Sequence, residues 1–361
     1  MNTIENELIK NGIKVVGKID NNTANHIVMY VAQALCSNFP ELKLNYNTLC
    51  MNIAGIQMYM AEMDNTTSGA CYFYKNSSLY FRQGLKLEQI RNLAVHECIH
   101  HIQEIKTQKG ELRKLGLCTY AGGKAYGNAL NEASVQMMSA FATGERFERV
   151  TYYGITIPSD SPNCYSLICN LMKQIGYLTG FSVLFKSTIY SDDSFYKKFK
   201  EIVGEKSAFK IQENFEKILE VEEKIAQIHL RIQHEELGYR KFKKCTDDIE
   251  KYKLTLQKYF LETQDTIITS FFDTQINTIT NISQIEDFRK YLYSFTNLIG
   301  TTPTYDFFND YYIKKMTELD VLYEKITNNV SLTVTKKSKL QTILQTLKKF
   351  FTGREKEYEN N

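Results

Sequence analysis

Apolar and polar positions along the first 204 residues follow helical spacing in some segments and strand-like spacing in others. Residues 51–63 are rich in side chains that favour β-structure, and two short strands are predicted within 69–85, around a turn at 75–78. Helices are predicted over residues 25–38, 86–107, 128–143 and 163–176, and between Asp192 and Gly204. This mixture predicts the α+β fold class for the first part of the chain.

The pattern changes after about residue 205, where Lys, Glu, Gln and Ile dominate and Gly becomes rare. An apolar stripe with helical spacing is formed by Val221, Ile225, Ile228 and Ile232. We therefore predict two domains, an α+β domain over 1–204 and an all-α helical domain, coiled-coil-like or a bundle, over 205–361. Residues 336–351 have the pattern of a basic amphipathic helix, which could contact a membrane or a partner but is expected to pack on neighbouring helices.

Composition and charge exclude several classes of protein. The net charge of +3 is too small to predict nucleic acid as a partner. The N-terminus is acidic and polar, unlike a signal peptide, and no apolar stretch has the length of a transmembrane segment. The 8 cysteines form no Cys-x-x-Cys pair, so neither a structural zinc site nor a disulfide framework is expected. A cytoplasmic location is the prediction.

The segment VHECIHHIQE, residues 95–104, contains the pattern His96-Glu97-x-x-His100. Residues four apart lie on one face of an α-helix, so both imidazoles can approach one point. Zinc binds neutral imidazole nitrogens, and a catalytic zinc site keeps a position open for water. A neighbouring carboxylate that is not a ligand can accept the proton of that water, which is the function predicted for Glu97.

The alternative to a metal site is a buried cluster that is satisfied by hydrogen bonds alone. The predicted helix is apolar around much of its circumference, so its polar side chains need partners when they are buried. A metal ion is the partner that we favour. His101 lies about 100° around the helix from His100, so we expect it to pack nearby rather than to bind the same ion.

A third metal ligand is predicted in the helix over 128–143, where Glu132 stands among apolar residues. The other histidines, His26, His229 and His234, are distant in sequence. The competing interpretation is that Glu132 lies on a solvated helix face.

These two motifs resemble those of the gluzincin branch of the zincin metallopeptidases, whose second motif reads Asn-Glu-Gly-x-Thr-Glu in small bacterial members. The resemblance covers roughly residues 50–204. It implies that His96, His100 and Glu132 bind zinc, that Glu97 is the general base, and that Asn131 matches the asparagine before the third ligand. The sequence departs from this pattern at Ala133, Val135 and Gln136, positions that pack around the ligands or orient them.

The resemblance also implies a zincin-like catalytic domain that binds a peptide or protein substrate along an edge strand, for which residues 78–85 are the best candidate. Among the tyrosines that could stabilise an oxyanion, Tyr126 is preferred over Tyr120 and Tyr165 because flexible glycines surround it.

The implied activity is that of a zinc metallopeptidase. The alternative is a catalytically weak or inactive zincin scaffold that regulates or binds another protein through its helical C-terminal half.

Overall fold

The computed structural model describes residues 3–63 and 68–327. The predicted amphipathic helix at 336–351 lies outside these residues. The described chain is a mixed α+β structure with small sheets and a helical C-terminal region, which confirms the predicted fold class at this level. Each described helix is too short or too polar to span a bilayer.

A mixed four-stranded sheet forms the N-terminal part of the fold. The first elements are α1 (Thr3–Lys10), β1 (Lys14–Lys18), α2 (Asn21–Asn38), α3 (Tyr46–Ala54), β2 (Gln57–Glu62), β3 (Ala70–Phe73) and β4 (Ser78–Arg82). The strand order is β1-β2-β4-β3, with β2 and β4 parallel and the other neighbours antiparallel. The predicted strand pair is therefore present, whereas the first residues of the segment 51–63 belong to α3.

Helix α4 (Leu87–Ile102) carries the His-Glu-x-x-His pattern and is shorter than predicted. Its predicted end lay at 107, but residues 104–106 extend and pair with a later strand. They begin an antiparallel sheet of β5 (Glu104–Lys106), β6 (Leu112–Leu115), β7 (Cys118–Ala121) and β8 (Lys124–Tyr126). Cross-strand pairing has overridden the local helical pattern at this point.

The central helices surround α5 (Asn128–Thr143), whose bounds match the prediction. Gly127 and Gly144 flank this helix in left-handed conformations that glycine adopts without strain. The elements after it are β9 (Glu148–Tyr152), β10 (Ile155–Ser159), α6 (Ser166–Thr179), α7 (Phe181–Tyr190) and α8 (Ser194–Val203). Helix α6 begins and ends three residues later than predicted.

The C-terminal region is helical, as predicted. It consists of α9 (Glu205–His234), α10 (Tyr239–Ile276), α11 (Ile282–Phe295) and α12 (Phe307–Thr327). Helices α9 and α10 form a long hairpin, in which Val221 and Ile225 of the predicted stripe are buried and Ile228 and Ile232 are half-buried.

One hydrophobic core extends across residue 204. It contains Leu130 of α5 and Leu171 of α6 together with Phe215 of α9 and Phe260 of α10. A second core joins α2, α4 and the remaining face of α5. The predicted boundary at residue 204 therefore does not coincide with a gap in the packing, and the division into two domains stays a prediction.

Candidate metal centre

Helix α4 places His96 and His100 on one buried face. At the start of the helix, the main-chain N–H of Lys86 donates to the Gln89 side chain at 2.9 Å. Both histidines are less than a tenth exposed. Because they are four residues apart, their rings lie one turn from each other, with centroids 4.9 Å apart.

Helix α5 packs against α4 and brings Glu132 to the two histidines. Its carboxylate oxygens lie 3.4 Å from Nε2 of His96 and 3.4 Å from Nε2 of His100. The two Nε2 atoms are 3.1 Å apart. Within the described part of the chain, this is the group of three side chains whose ligand atoms are close enough to share a metal ion, all within 4.8 Å of one another.

These separations fit a tetrahedral zinc site. Ligand atoms about 2.0–2.2 Å from a tetrahedral zinc lie about 3.3–3.6 Å from each other. The Nε2 atoms are 3.1 Å apart and each lies 3.4 Å from its own oxygen of Glu132, which is close to this range, and with one oxygen as the ligand all three atoms lie within 4.8 Å of one another. Two imidazoles and one carboxylate are also a donor set that zinc binds in catalytic sites.

The hydrogen bonds of His96 direct its metal-binding nitrogen toward the cluster. Nδ1 of His96 lies 2.9 Å from Oε1 of Gln136, whose Nε2 donates to Oγ of Ser161 at 2.9 Å. The Ser161 hydroxyl donates to the carbonyl of Cys164, so its oxygen must accept from Gln136. This order fixes the amide orientation, and Nδ1 of a neutral His96 therefore carries the proton. The lone pair of Nε2 is left for a metal.

His100 is oriented in the same manner by Gln103, with Nδ1 and Oε1 3.3 Å apart. Gln103 exchanges two hydrogen bonds with Asn131, whose Oδ1 also accepts from the main-chain N–H of Leu117 at 3.0 Å. Gly116 makes room for this contact, because a Cβ there would lie 2.1 Å from Oδ1 of Asn131. Both histidines thus direct unprotonated Nε2 atoms at one point when they are neutral.

Electrostatics favour a cation between these groups. Burial lowers the pKa of His100, but the charge of Glu132 and its hydrogen bond outweigh burial and raise the pKa to about 9. Burial raises the pKa of Glu132, whereas the two histidines more than reverse this effect and hold it well below its ordinary value. Two lone pairs and a carboxylate at these distances repel each other unless a proton or a metal ion lies among them.

Glu97 is directed toward the sheet rather than into the group of three ligands. Its Oε2 accepts a hydrogen bond of 2.7 Å from the main-chain N–H of Tyr72 in β3. The prediction that residues 78–85 form the edge strand is wrong, because β4 is paired on both sides, and the edge strand next to it is β3. The order of strands in a sheet depends on pairings between distant segments, which local spacing does not specify.

Of the candidate tyrosines, Tyr165 lies beside a predicted ligand. Its ring centroid is 6.4 Å from that of His96. Tyr165 precedes α6 and has a left-handed φ of 52°. This conformation is strained for a residue other than glycine, and such strained residues are enriched at functional sites. Tyr126 lies on β8 and is 52% exposed, and its catalytic function stays a prediction. Tyr120 packs near Tyr74.

Several residues that support the centre were not predicted. Gln103 and Ser161 hold the amide networks, and Gly116 provides the space for one of them. Gln103 follows His100 by three residues, a helical spacing that could have indicated it. Ser161 and Gly116 are distant in sequence, and no local pattern marks them. Of the three departures from the resembled motif, Ala133 and Val135 are buried in the two cores, and Gln136 orients His96.

Comparisons with protein-family models, with curated proteins and with solved structures found no match to this chain. The resemblance to gluzincins thus rests on the sequence motifs, and a function must be argued from the geometry of the centre.

Proposed function

We propose that the protein is a zinc-dependent metallopeptidase in which His96, His100 and Glu132 bind zinc. The observation that carries the proposal is the convergence of two Nε2 atoms and a carboxylate, while each Nδ1 faces an amide oxygen. A hydrogen-bonded core cluster needs no such matched orientation of both rings. Histidines that bind zinc commonly donate their other ring N–H to an oxygen acceptor in the same way.

Glu97 is the general base of this proposal. A bound zinc would polarise the scissile carbonyl and lower the pKa of the attacking water. With Oε2 held by the Tyr72 main chain, Oε1 of Glu97 remains to accept the proton of the attacking water. The carboxyl group can then transfer that proton to the nitrogen of the leaving amine.

Tyr165 is our preferred donor to the developing oxyanion, in place of Tyr126. Burial, followed by the charge of Glu132, raises the pKa of Tyr165 well above its ordinary value. Its hydroxyl therefore keeps its proton at neutral pH and can donate a hydrogen bond. The ring lies beside His96, whereas Tyr126 is half exposed on β8.

A peptide substrate would lie along β3, since this strand is at an edge of its sheet, and would pair with main-chain groups other than the Tyr72 N–H, which Glu97 holds. Peptides commonly bind by adding a strand to a free sheet edge. Main-chain pairing of this kind suits an extended, unfolded segment of protein.

The first test is metal content. Protein purified without chelators should contain about one zinc per chain, and a His96→Ala/His100→Ala variant should contain none. The matched control is His229→Ala/His234→Ala, which removes two exposed histidines from α9. Absence of metal from carefully handled wild-type protein would refute the proposed centre.

The second test is hydrolysis of casein and of short unfolded peptides. Glu97→Gln should keep zinc and the fold but lose at least about a hundredfold in turnover, as expected for a general base. Equal turnover in this variant would exclude Glu97 from the reaction. A zinc-loaded wild-type protein without hydrolysis would favour the alternative of an inactive scaffold.

A further inference from the structure

The motif contains a second pair of residues four apart, Glu97 and His101. His96 and His100 face the cluster with Glu132, whereas Glu97 and His101 share the adjacent face of α4. Both members of this second pair bind the same residue of the edge strand, Tyr72. Its main-chain N–H donates to Oε2 of Glu97 at 2.7 Å, and its hydroxyl lies 2.9 Å from Nδ1 of His101.

The strand register explains why the Tyr72 main chain is available to Glu97. The main-chain N–H of Arg82 in β4 donates to the carbonyl of Gly69, the residue before β3. Gly69 and Arg82 therefore form a hydrogen-bonded antiparallel pair. Hydrogen-bonded and non-hydrogen-bonded pairs alternate, and Tyr72 opposite Leu79 belongs to the non-hydrogen-bonded set. Its N–H and carbonyl therefore point away from β4, toward the free edge of the sheet.

His101 is itself held from two sides. The Tyr72 hydroxyl shares a hydrogen bond with Nδ1 of His101 at 2.9 Å, and the imidazole of His101 also interacts with the main chain of Asn52 in α3. The rings of Tyr72 and His101 also pack edge to face, with centroids 5.5 Å apart and an interplanar angle of 73°. These contacts connect β3, α4 and α3 at one imidazole.

An edge strand is paired on one side only, so its distance from α4 needs a further restraint. Pairing with β4 and the packing of Ala70 on α4 hold the strand in place, but the hydrogen bond to Glu97 is a single point of contact with the catalytic carboxylate. The second contact, through the phenol of Tyr72, adds a restraint on how Tyr72 lies against Glu97, because Glu97 and His101 are both fixed to the same helix.

We propose that Tyr72 and His101 are positioning residues, which hold the Glu97 carboxylate at the orientation needed for proton transfer. This inference rests on the proposed function for its catalytic consequence, but the restraint itself is a property of the protein with or without substrate. It also accounts for the second histidine of the His100-His101 pair, which the metal centre does not use.

Tyr72→Phe is the sharpest perturbation, because it removes the hydroxyl and keeps the ring and the main-chain N–H. We expect kcat to fall by between about tenfold and about a hundredfold, as for a modest misplacement of a reacting group. Zinc content should not change, since the ligands are not altered, and KM should change less than kcat, since the main-chain groups of β3 are all retained. His101→Phe should have a similar effect, and the double variant should be no worse than either single variant.

The matched control is Tyr30→Phe. The Tyr30 hydroxyl donates to Oδ1 of Asn92 at 3.0 Å, which is another tyrosine hydrogen bond to α4. Asn92 lies more than one turn before Glu97, so this variant should keep kcat within about twofold of the wild-type value. Equal losses of kcat in Tyr30→Phe and Tyr72→Phe would show a general effect on α4 and overturn the proposal.

Amide hydrogen exchange tests the restraint without any turnover. Exchange of the Tyr72 amide should speed up about tenfold or more in Tyr72→Phe and in Glu97→Ala, and stay unchanged in Tyr30→Phe. Unchanged exchange and unchanged kcat in Tyr72→Phe would together overturn the proposal, as would a loss confined to KM. If exchange responds as expected but wild-type protein hydrolyses no peptide, the restraint stands and the proposed peptidase function fails.

Discussion

Replacing Gln136 by Leu should weaken zinc binding while leaving the metal-free fold almost unchanged. Leucine is close to glutamine in volume, so the buried position keeps its packing. The substitution removes the oxygen that faces Nδ1 of His96 and the amide that donates to Ser161. Ser161 retains its hydrogen bond to the Cys164 carbonyl, so the principal loss falls on His96.

The magnitude follows from the tautomer of His96. With zinc on Nε2, Nδ1 must carry a proton, and a buried donor without a partner costs about 1–3 kcal/mol. Without zinc, the proton can move to Nε2, which lies 3.4 Å from a Glu132 oxygen, and most of this cost is avoided. The difference appears as a loss of affinity of about ten- to a hundredfold, since each tenfold is about 1.4 kcal/mol.

The assay is competition for zinc between the protein and a chromogenic chelator, together with chemical unfolding of the metal-free protein. Gln275→Leu is the matched control, because Gln275 is a buried glutamine of α10 whose side-chain atoms find no hydrogen-bond partner among the described residues. It should leave zinc affinity unchanged. Wild-type zinc affinity in Gln136→Leu would refute the argument that Gln136 orients His96.

Three further predictions concern the helical region. Glu216 of α9 accepts a hydrogen bond from the main-chain N–H of Ala129 at the start of α5, so Glu216→Ala should lower the free energy of unfolding by about 1 kcal/mol. Denaturant titration against exposed Glu220→Ala checks this, and equal effects would contradict it. Burial, then the charge of Glu223, raises the pKa of Glu222 to about 8. Between about pH 5 and 8 the unfolded chain releases this proton while the folded protein keeps it, so stability falls as pH rises. Glu222→Gln should flatten that slope in denaturant titrations, and an unchanged slope would count against the buried, protonated state. Residues 1–204 expressed alone should be insoluble, because α9 and α10 share the core of α5 and α6; a soluble, zinc-loaded fragment would show two separable domains.

The sequence by itself determined helix α5 and the approach of His96 to His100, because both depend on residues that are close together in the chain. Gly127 and Gly144 bound α5 because each takes a left-handed φ, and the predicted helix over 128–143 is confirmed. The approach of His96 and His100 is likewise a property of a single helix, since residues four apart must share a face. The mixed α+β class followed from the alternation of these local patterns.

Only the tertiary structure decided which distant residues meet. The partnership of Glu132 with the histidines needs α5 packed on α4, and the exposed alternative had the same sequence pattern. Pairing of residues 104–106 with β6 set the end of α4. The pairing of β4 between β2 and β3 placed β3 at an edge of the sheet. In each case the deciding free energy comes from contacts between segments far apart in the chain, which no short window of sequence contains. The choice of Tyr165 over Tyr126 beside His96 has the same origin, because burial against another element, not local spacing, brings that ring to the centre.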